Sequence, residues 1–214
     1  MANLTVDAEP VRAGIAAACE RVRRDPAGVD LLAAVKYVDV ADLGALADAG
    51  LDLLGENRAQ ELEAKAQNWP AFRWHFIGQL QSRKVRLILP YAQLIHSVAS
   101  ESVLEQLGRH GTPETEVLIQ VNVAGEDDKA GVEPADLAGY IARAGSSVSV
   151  VGLATMPPAV ADPEANRPHF RALSHLARDH GLRHLSMGTS QDYAIAVEEG
   201  ATIVRVGSAL FSQA

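Results

Sequence analysis

A chain of 214 residues with 48% hydrophobic content is long enough for one sizeable core and sits at the short end of what an α/β barrel needs. Its formal net charge of −8, from 27 acidic against 19 basic residues, argues against an electrostatic grip on nucleic acid or anionic lipid and favours a small-molecule partner. Met1 to Pro10 shows no basic segment followed by an apolar stretch, and nowhere do about 18 apolar residues run uninterrupted, so a cytoplasmic chain without membrane insertion is expected.

A helix is predicted from about Ala8 to Arg24, with Val11, Ile15, Ala18, Cys19 and Val22 on one stripe. Cys19 is the single cysteine, which leaves no internal disulfide and reads as a packed core thiol. Eight short apolar runs follow as strand candidates: Leu31 to Lys36, Leu51 to Gly55, Trp74 to Gly78, Leu94 to Ala99, Glu116 to Val123, Val150 to Met156, His184 to Gly188 and Thr202 to Gly207. Helical segments separate them. Asp39 opens one that stops at Gly50, Ser100 opens another, Pro134 fits a first turn, and Ser190 opens one ending at Gly200. Eight such repeats with no linker between them predict a parallel sheet closed into a single (β/α)8 TIM barrel over residues 1–214, of α/β class, with an extra N-terminal helix. An open doubly wound sheet is the alternative.

In a barrel the chemistry belongs at the carboxyl ends of the strands. Lys36 closes the first run on the same face as Leu32 and Ala34. A buried amine there would have a depressed pKa and condense with an aldehyde, whereas a lysine just past the strand would simply reach solvent. Arg205 shares a face with Ile203 and Gly207, so its guanidinium needs an acceptor, and an interior ion pair is the structural reading. Ser186-Met187-Gly188-Thr189-Ser190 and Gly207-Ser208 are ordinary turn residues taken singly. At adjacent strand ends, each before a predicted helix, they form a candidate phosphate site. Asn57 and Gln60 fit a capping pair, or Asn57 offers an amide to a ligand. His75 and His96 read as satisfied core or rim positions, in no metal-ligand spacing. The basic stretch Gln79 to Arg86 reads as a solvated helix face or a lip for an anionic ligand.

These residues, taken in order, resemble the YggS/PROSC pyridoxal phosphate homeostasis proteins, whose fold is similar to the amino-terminal barrel of alanine racemase. The resemblance covers nearly the whole chain. It rests on Ala34-Val35-Lys36, Leu54-Gly55-Glu56-Asn57, Trp74-His75-Phe76-Ile77-Gly78 with Leu80-Gln81-Ser82 and Lys84, Val117-Leu118-Ile119-Gln120-Val121-Asn122, Gly152-Leu153-Ala154-Thr155-Met156, Leu185-Ser186-Met187-Gly188 and Val204-Arg205-Val206-Gly207-Ser208. It implies a fold-type III protein that binds pyridoxal 5′-phosphate (PLP) as a Schiff base, the internal aldimine, on Lys36. By the same resemblance Ser190, Gly207 and Ser208 fall at the cofactor phosphate and Arg205 faces the pyridine nitrogen. Asn57 falls beside the ring, and Gly78, Ser186 and Met187 line the same pocket. Tyr37 stands where Thr or Ser usually follows the lysine, and Thr189 stands in place of a second Met; both bear on pocket shape.

The resemblance implies a non-catalytic, monomeric carrier in PLP homeostasis, with PLP-dependent apo-enzymes as further partners. A cation beside the pyridine nitrogen disfavours its protonation and makes the ring a poorer electron sink, in keeping with a protein without turnover. An amino-acid racemase is the alternative. It would need a second base opposite Lys36, which racemases of similar fold take from an added β-domain, while this chain runs only to Ala214. A lysine barrel acting on a sugar phosphate is the third class, and it would not be yellow.

Overall fold

The computed structural model describes residues 4–126, 130–145 and 147–213; Met1 to Asn3 and Ala214, inside the expected 1–214 domain, lie outside them. The chain begins with β1 (Leu4–Val6) and α1 (Glu9–Arg21). Strands and helices then alternate: β2 (Asp30–Ala34), α2 (Gly44–Asp48), β3 (Leu53–Glu56), α3 (Ala59–Asn68), β4 (Arg73–Phe76) and α4 (Val85–Ile88). The second half adds β5 (Leu94–Val98), α5 (Glu101–His110), β6 (Glu116–Gln120), α6 (Leu137–Ala144), β7 (Ser149–Ala154) and α7 (Arg167–Asp179). It closes with β8 (His184–Ser186), α8 (Tyr193–Glu198), β9 (Ile203–Val206) and β10 (Phe211–Gln213).

Strands β2 to β9 form a closed, all-parallel barrel in sequence order, and β2 meets β9 with Ala33 opposite Val206. The (β/α)8 reading therefore holds and the open sheet does not. Period-two alternation, broken once in β7 where the register with β6 shifts between Val150 and Gly152, divides the apolar residues into two sets. Leu32, Leu53, Leu94, Leu118, Val151 and Ile203 fill the barrel interior, while Ala33, Leu54, Ile95, Val117, Leu153 and Val204 face the ring of helices. Each leucine buried in this way stabilises the fold by roughly 1.5–3 kcal/mol. Inward positions nearer the carboxyl ends are polar instead: His75, His96, Ser186 and Arg205, each at most 7% exposed.

The predicted strands mostly overrun the observed ones at their carboxyl ends, for a visible reason. Beyond β2, β4 and β7 the ladder continues by single bonds, Val35 N to Gly55 O, Ile77 N to Glu56 O and Thr155 N to Ser186 O, before the backbone turns away. Ser100 caps α5 as expected, accepting from Val103 N. Val22 falls off the predicted stripe because α1 ends at Arg21, while Cys19 is fully buried. Gly207-Ser208 leads into a turn and β10, not a helix. Strands β1 and β10, three residues each and unforeseen from periodicity, pair antiparallel through Thr5 and Ser212. Among the described residues no helix is long and apolar enough to cross a membrane.

Candidate functional site

At the carboxyl ends of the strands lies a cavity of about 580 Å³ whose wall includes Lys36, Asn57, Ser190, Arg205, Gly207 and Ser208, six of the residues expected from sequence. Leu4, Tyr37, Met156 and Phe211 also line it, so the small β1–β10 sheet contributes to one side. Gly78, Ser186 and Met187 do not line it. A Cβ on Gly78 would overlap the backbone carbonyl of Asn57, which makes Gly78 the residue that lets the β4 end pass under the Asn57 segment. Ser186 is buried beneath Arg205, and Met187 faces the helical layer.

Of the two readings open for Lys36, the structure shows the lysine just past the strand that reaches solvent, not the buried amine. It follows β2 by two residues, is exposed, and sits in a turn that Val38 N closes onto Val35 O at 3.1 Å. Its Nζ lies 4.8 Å from the Tyr37 ring centroid, a cation–π contact across the turn. The amine thus lies exposed at the cavity wall against the Tyr37 ring, and the turn rather than the strand sets its position.

Arg205 is held without a carboxylate. Its Nη1 donates to Ser186 O at 2.9 Å and to Ser186 Oγ at 2.6 Å, and its Nη2 donates to Thr155 O at 2.8 Å. Among the described residues Arg205 has no ion-pair partner of the kind considered from sequence, and burial pulls the guanidinium down to about 10, with Asp192 opposing the shift. It remains a cation at neutral pH. Among the described residues its Nε is buried without a partner, as are Asn57 Oδ1 and atoms away from the cavity such as Ser97 Oγ and Tyr140 Oη. Arg205 and Asn57 both line the cavity, where a bound ligand would supply the acceptor and the donor that these two atoms lack.

Ser186 Oγ, accepting from Arg205, is left to donate to His96 Nδ1 at 2.8 Å. That fixes His96 with its proton on Nε2, donating to His75 Nδ1 at 3.0 Å. Both histidines are kept neutral. Burial, with Arg73 and His184 nearby, holds His75 at about 3, and burial likewise keeps His96 well below its usual value. They are satisfied core groups that brace Arg205.

Just beyond Arg205, where the β9 end lies beside the β2 end, Ser190 Oγ accepts from both Gly207 N at 3.1 Å and Ala209 N at 3.3 Å. Two amides converging on one oxygen are what a phosphate oxygen requires. A Cβ on Gly207 would meet only Ala34 at 3.5 Å, so the fold itself has room for a side chain there. Ser190 does not cap α8. Asp192 orders its loop instead, accepting from Thr189 N at 2.7 Å and Thr189 Oγ1 at 3.0 Å. Gly188, with φ +91°, is required because a Cβ would sit 2.6 Å from Ala196 Cβ.

Asn57 is not the cap of α3 either; Glu56 Oε1 accepts from Asn57 N at 2.6 Å and Arg58 N at 3.1 Å. The basic stretch becomes a short 3-10 turn and α4 and does not reach the cavity. Sequence reasoning missed Thr155, whose carbonyl holds Arg205, and the buried Lys65. Lys65 had a readable signal, since it falls with Ala59, Leu62 and Ala66 on the buried face of α3.

Barrel and site together define a class. Residues 7–214 match the family model described as "Alanine racemase, N-terminal domain". The chain is 39% identical over 92% of its length, and 92% of the relative's, to the pyridoxal phosphate homeostasis protein of Aquifex aeolicus. It is 37% identical, over 99% of its own length and 96% of the relative's, to the protein of the same name in Pseudomonas aeruginosa. The chain belongs to this pyridoxal phosphate homeostasis protein family. Among solved structures, PipY of Synechococcus elongatus with PLP bound superposes at a TM-score of 0.75 with 32% identity, covering 92% of this chain and 100% of that one. These relatives are named for a homeostasis role rather than for a reaction.

Proposed function

We propose that this chain binds PLP in the cavity at the carboxyl ends of its strands and serves as a non-catalytic carrier of it. The observation that carries this is the pair of orphaned atoms, Arg205 Nε and Asn57 Oδ1, on a wall shared with the Lys36 amine and two convergent amides. PLP when bound supplies an aldehyde to the Lys36 amine. Ser190, Gly207 and Ser208 receive the phosphate; Ser190 Oγ, which now takes both amides, is the group that must yield them. Arg205 Nε meets the pyridine nitrogen as a donor, and a guanidinium there keeps that nitrogen unprotonated. Asn57 contacts the ring substituents. Gly78, Ser186 and Met187 act from behind, by letting Asn57 approach, holding Arg205 and packing the β8 end.

In this reading the protein is a cytoplasmic monomer of one domain that shields a reactive aldehyde and releases it to apo-enzymes. The name borne by its relatives and the PLP-bound PipY structure support it. Titration of the purified chain with PLP, read by absorbance between about 300 and 500 nm, tests it. A saturable yellow band in the wild type that is absent from Lys36→Ala is expected. Absence of any band would overturn the reading, and turnover of alanine between its two forms would replace the carrier with a racemase.

A further inference from the structure

Inside the barrel wall, behind the cavity, lies a buried ion pair. Lys65 on α3 is 2% exposed and Glu56 at the end of β3 is fully buried, with Nζ to Oε2 at 2.5 Å. Neither side chain lines the cavity. Among the described residues, their remaining side-chain hydrogen bonds go to the two backbone segments that present Lys36 and Asn57.

Lys65 Nζ also donates to Val35 O at 2.8 Å. That same carbonyl accepts from Val38 N and closes the turn that has Lys36 and Tyr37 at its centre. Glu56 spends Oε2 on the ammonium and Oε1 on the amides of Asn57 and Arg58. One ion pair therefore spans from the anchoring carbonyl of the Lys36 turn to the amides of the Asn57 segment. Lys36 has no anchor of this kind itself, since its side chain is exposed and its strand has ended.

A buried ion pair is a poor way to gain stability, because desolvating two charges offsets most of their attraction, and neutral replacements of like volume are often tolerated. What such a pair does supply is a fixed distance between the elements it joins. We propose that Glu56 and Lys65 are a positioning pair that holds the Lys36 amine at a set distance and direction from Asn57, so that the amine meets the carbon of a bound aldehyde. This rests on the assignment of PLP to the cavity. The pair acts on reaction of the amine with the aldehyde, not on recognition of the phosphate, which Ser190, Gly207 and Ser208 provide through groups that neither Glu56 nor Lys65 contacts.

The test uses the neutral double variant Glu56→Gln/Lys65→Met, with Glu56→Gln/Lys65→Gln as a second version, each checked for folding by circular dichroism and thermal melting. Two ligands separate attachment from recognition: PLP, and 4′-deoxypyridoxine 5′-phosphate, which has the phosphate and ring but no aldehyde. With the pair removed, the yellow band should form roughly tenfold to a hundredfold more slowly, the scale expected when a reacting group is misplaced by about an ångström. Affinity for the deoxy ligand should stay within about twofold of wild type. In the ligand-free protein, hydrogen exchange at the amides of Val38 and Arg58 should speed up. Wild-type rates of band formation in either folded variant would overturn the proposal, as would an equal loss for both ligands. Failure of both variants to fold would also overturn it, by making the pair a requirement of the barrel. A wild-type protein that binds neither ligand would instead sink the PLP assignment.

Discussion

Arg205 reaches Ser186 twice, through its backbone carbonyl at 2.9 Å and its hydroxyl at 2.6 Å, and through that hydroxyl reaches the neutral histidines of the barrel interior. The hydrogen bonds to the cation all come from neutral dipoles, with the Asp192 charge acting only from a distance, and none of them uses Nε. In Ser186→Ala, Arg205 Nη1 keeps only the carbonyl and His96 Nδ1 loses its donor, both in a buried setting. A loss of about 1–3 kcal/mol is expected. Urea unfolding of the variant against wild type measures it, and unchanged stability would show that the hydroxyl is dispensable to the brace.

The histidines give the protein a pH signature. His75, held at about 3 against a usual 6.5, and His96, also held low, are neutral in the native chain but take up protons when unfolded below pH 6.5. The unfolded state then binds more protons, so stability is full above about pH 6.5 and falls as pH drops from there toward 3. Each histidine contributes a slope of about 1.4 kcal/mol per pH unit. Denaturant midpoints at pH 7, 6 and 5 should decline steadily, before most carboxylates titrate, and His75→Gln should flatten the decline. A level profile across that range would contradict the neutral, buried assignment.

Gly78 tests how tightly the Asn57 segment is packed. In Gly78→Ala the added methyl overlaps the Asn57 backbone, and rigid main chain cannot step aside as a flexible side chain does. Overpacking of this kind costs about 1–3 kcal/mol, and it displaces Asn57 at the cavity wall. Thermal melting and PLP titration together should show both losses; a variant with wild-type melting and affinity would mean that the two segments are looser than they lie here.

Ser208, exposed at the mouth, is the place to probe phosphate without disturbing the core. Ser208→Asp sets a carboxylate beside the phosphate oxygens. At an exposed position the repulsion is worth about 1 kcal/mol, roughly a fivefold loss of affinity, larger at low salt. Unchanged affinity for inorganic phosphate and PLP alike would remove Ser208 from the phosphate site.

Much of this was legible in the sequence because barrels repeat. Eight apolar runs separated by capped helices can bury their faces in few ways, and strand-end placement then picked out Lys36, Arg205 and the two serine–glycine turns without any knowledge of contacts. What escaped was decided by the turns after the strands. Lys36 alternates correctly with Leu32 and Ala34, but β2 ends at Ala34, so the alternation no longer determines its burial. The resemblance implies that Ser186 and Met187 line the pocket, yet a strand sends neighbours to opposite faces, one under Arg205 and one into the helical layer. The β1–β10 pair is too short to show any period, and Lys65 was hidden by being a charge on an apolar stripe.

In the reading proposed above, PLP is held on the Lys36 amine, at a turn on the cavity wall. Borohydride reduction of the PLP-loaded protein followed by peptide mass mapping locates the attachment. A bleached band and a single modified peptide carrying the adduct on Lys36 are expected, with no adduct in Lys36→Ala. An adduct on any other lysine, or one that persists in Lys36→Ala, would contradict it.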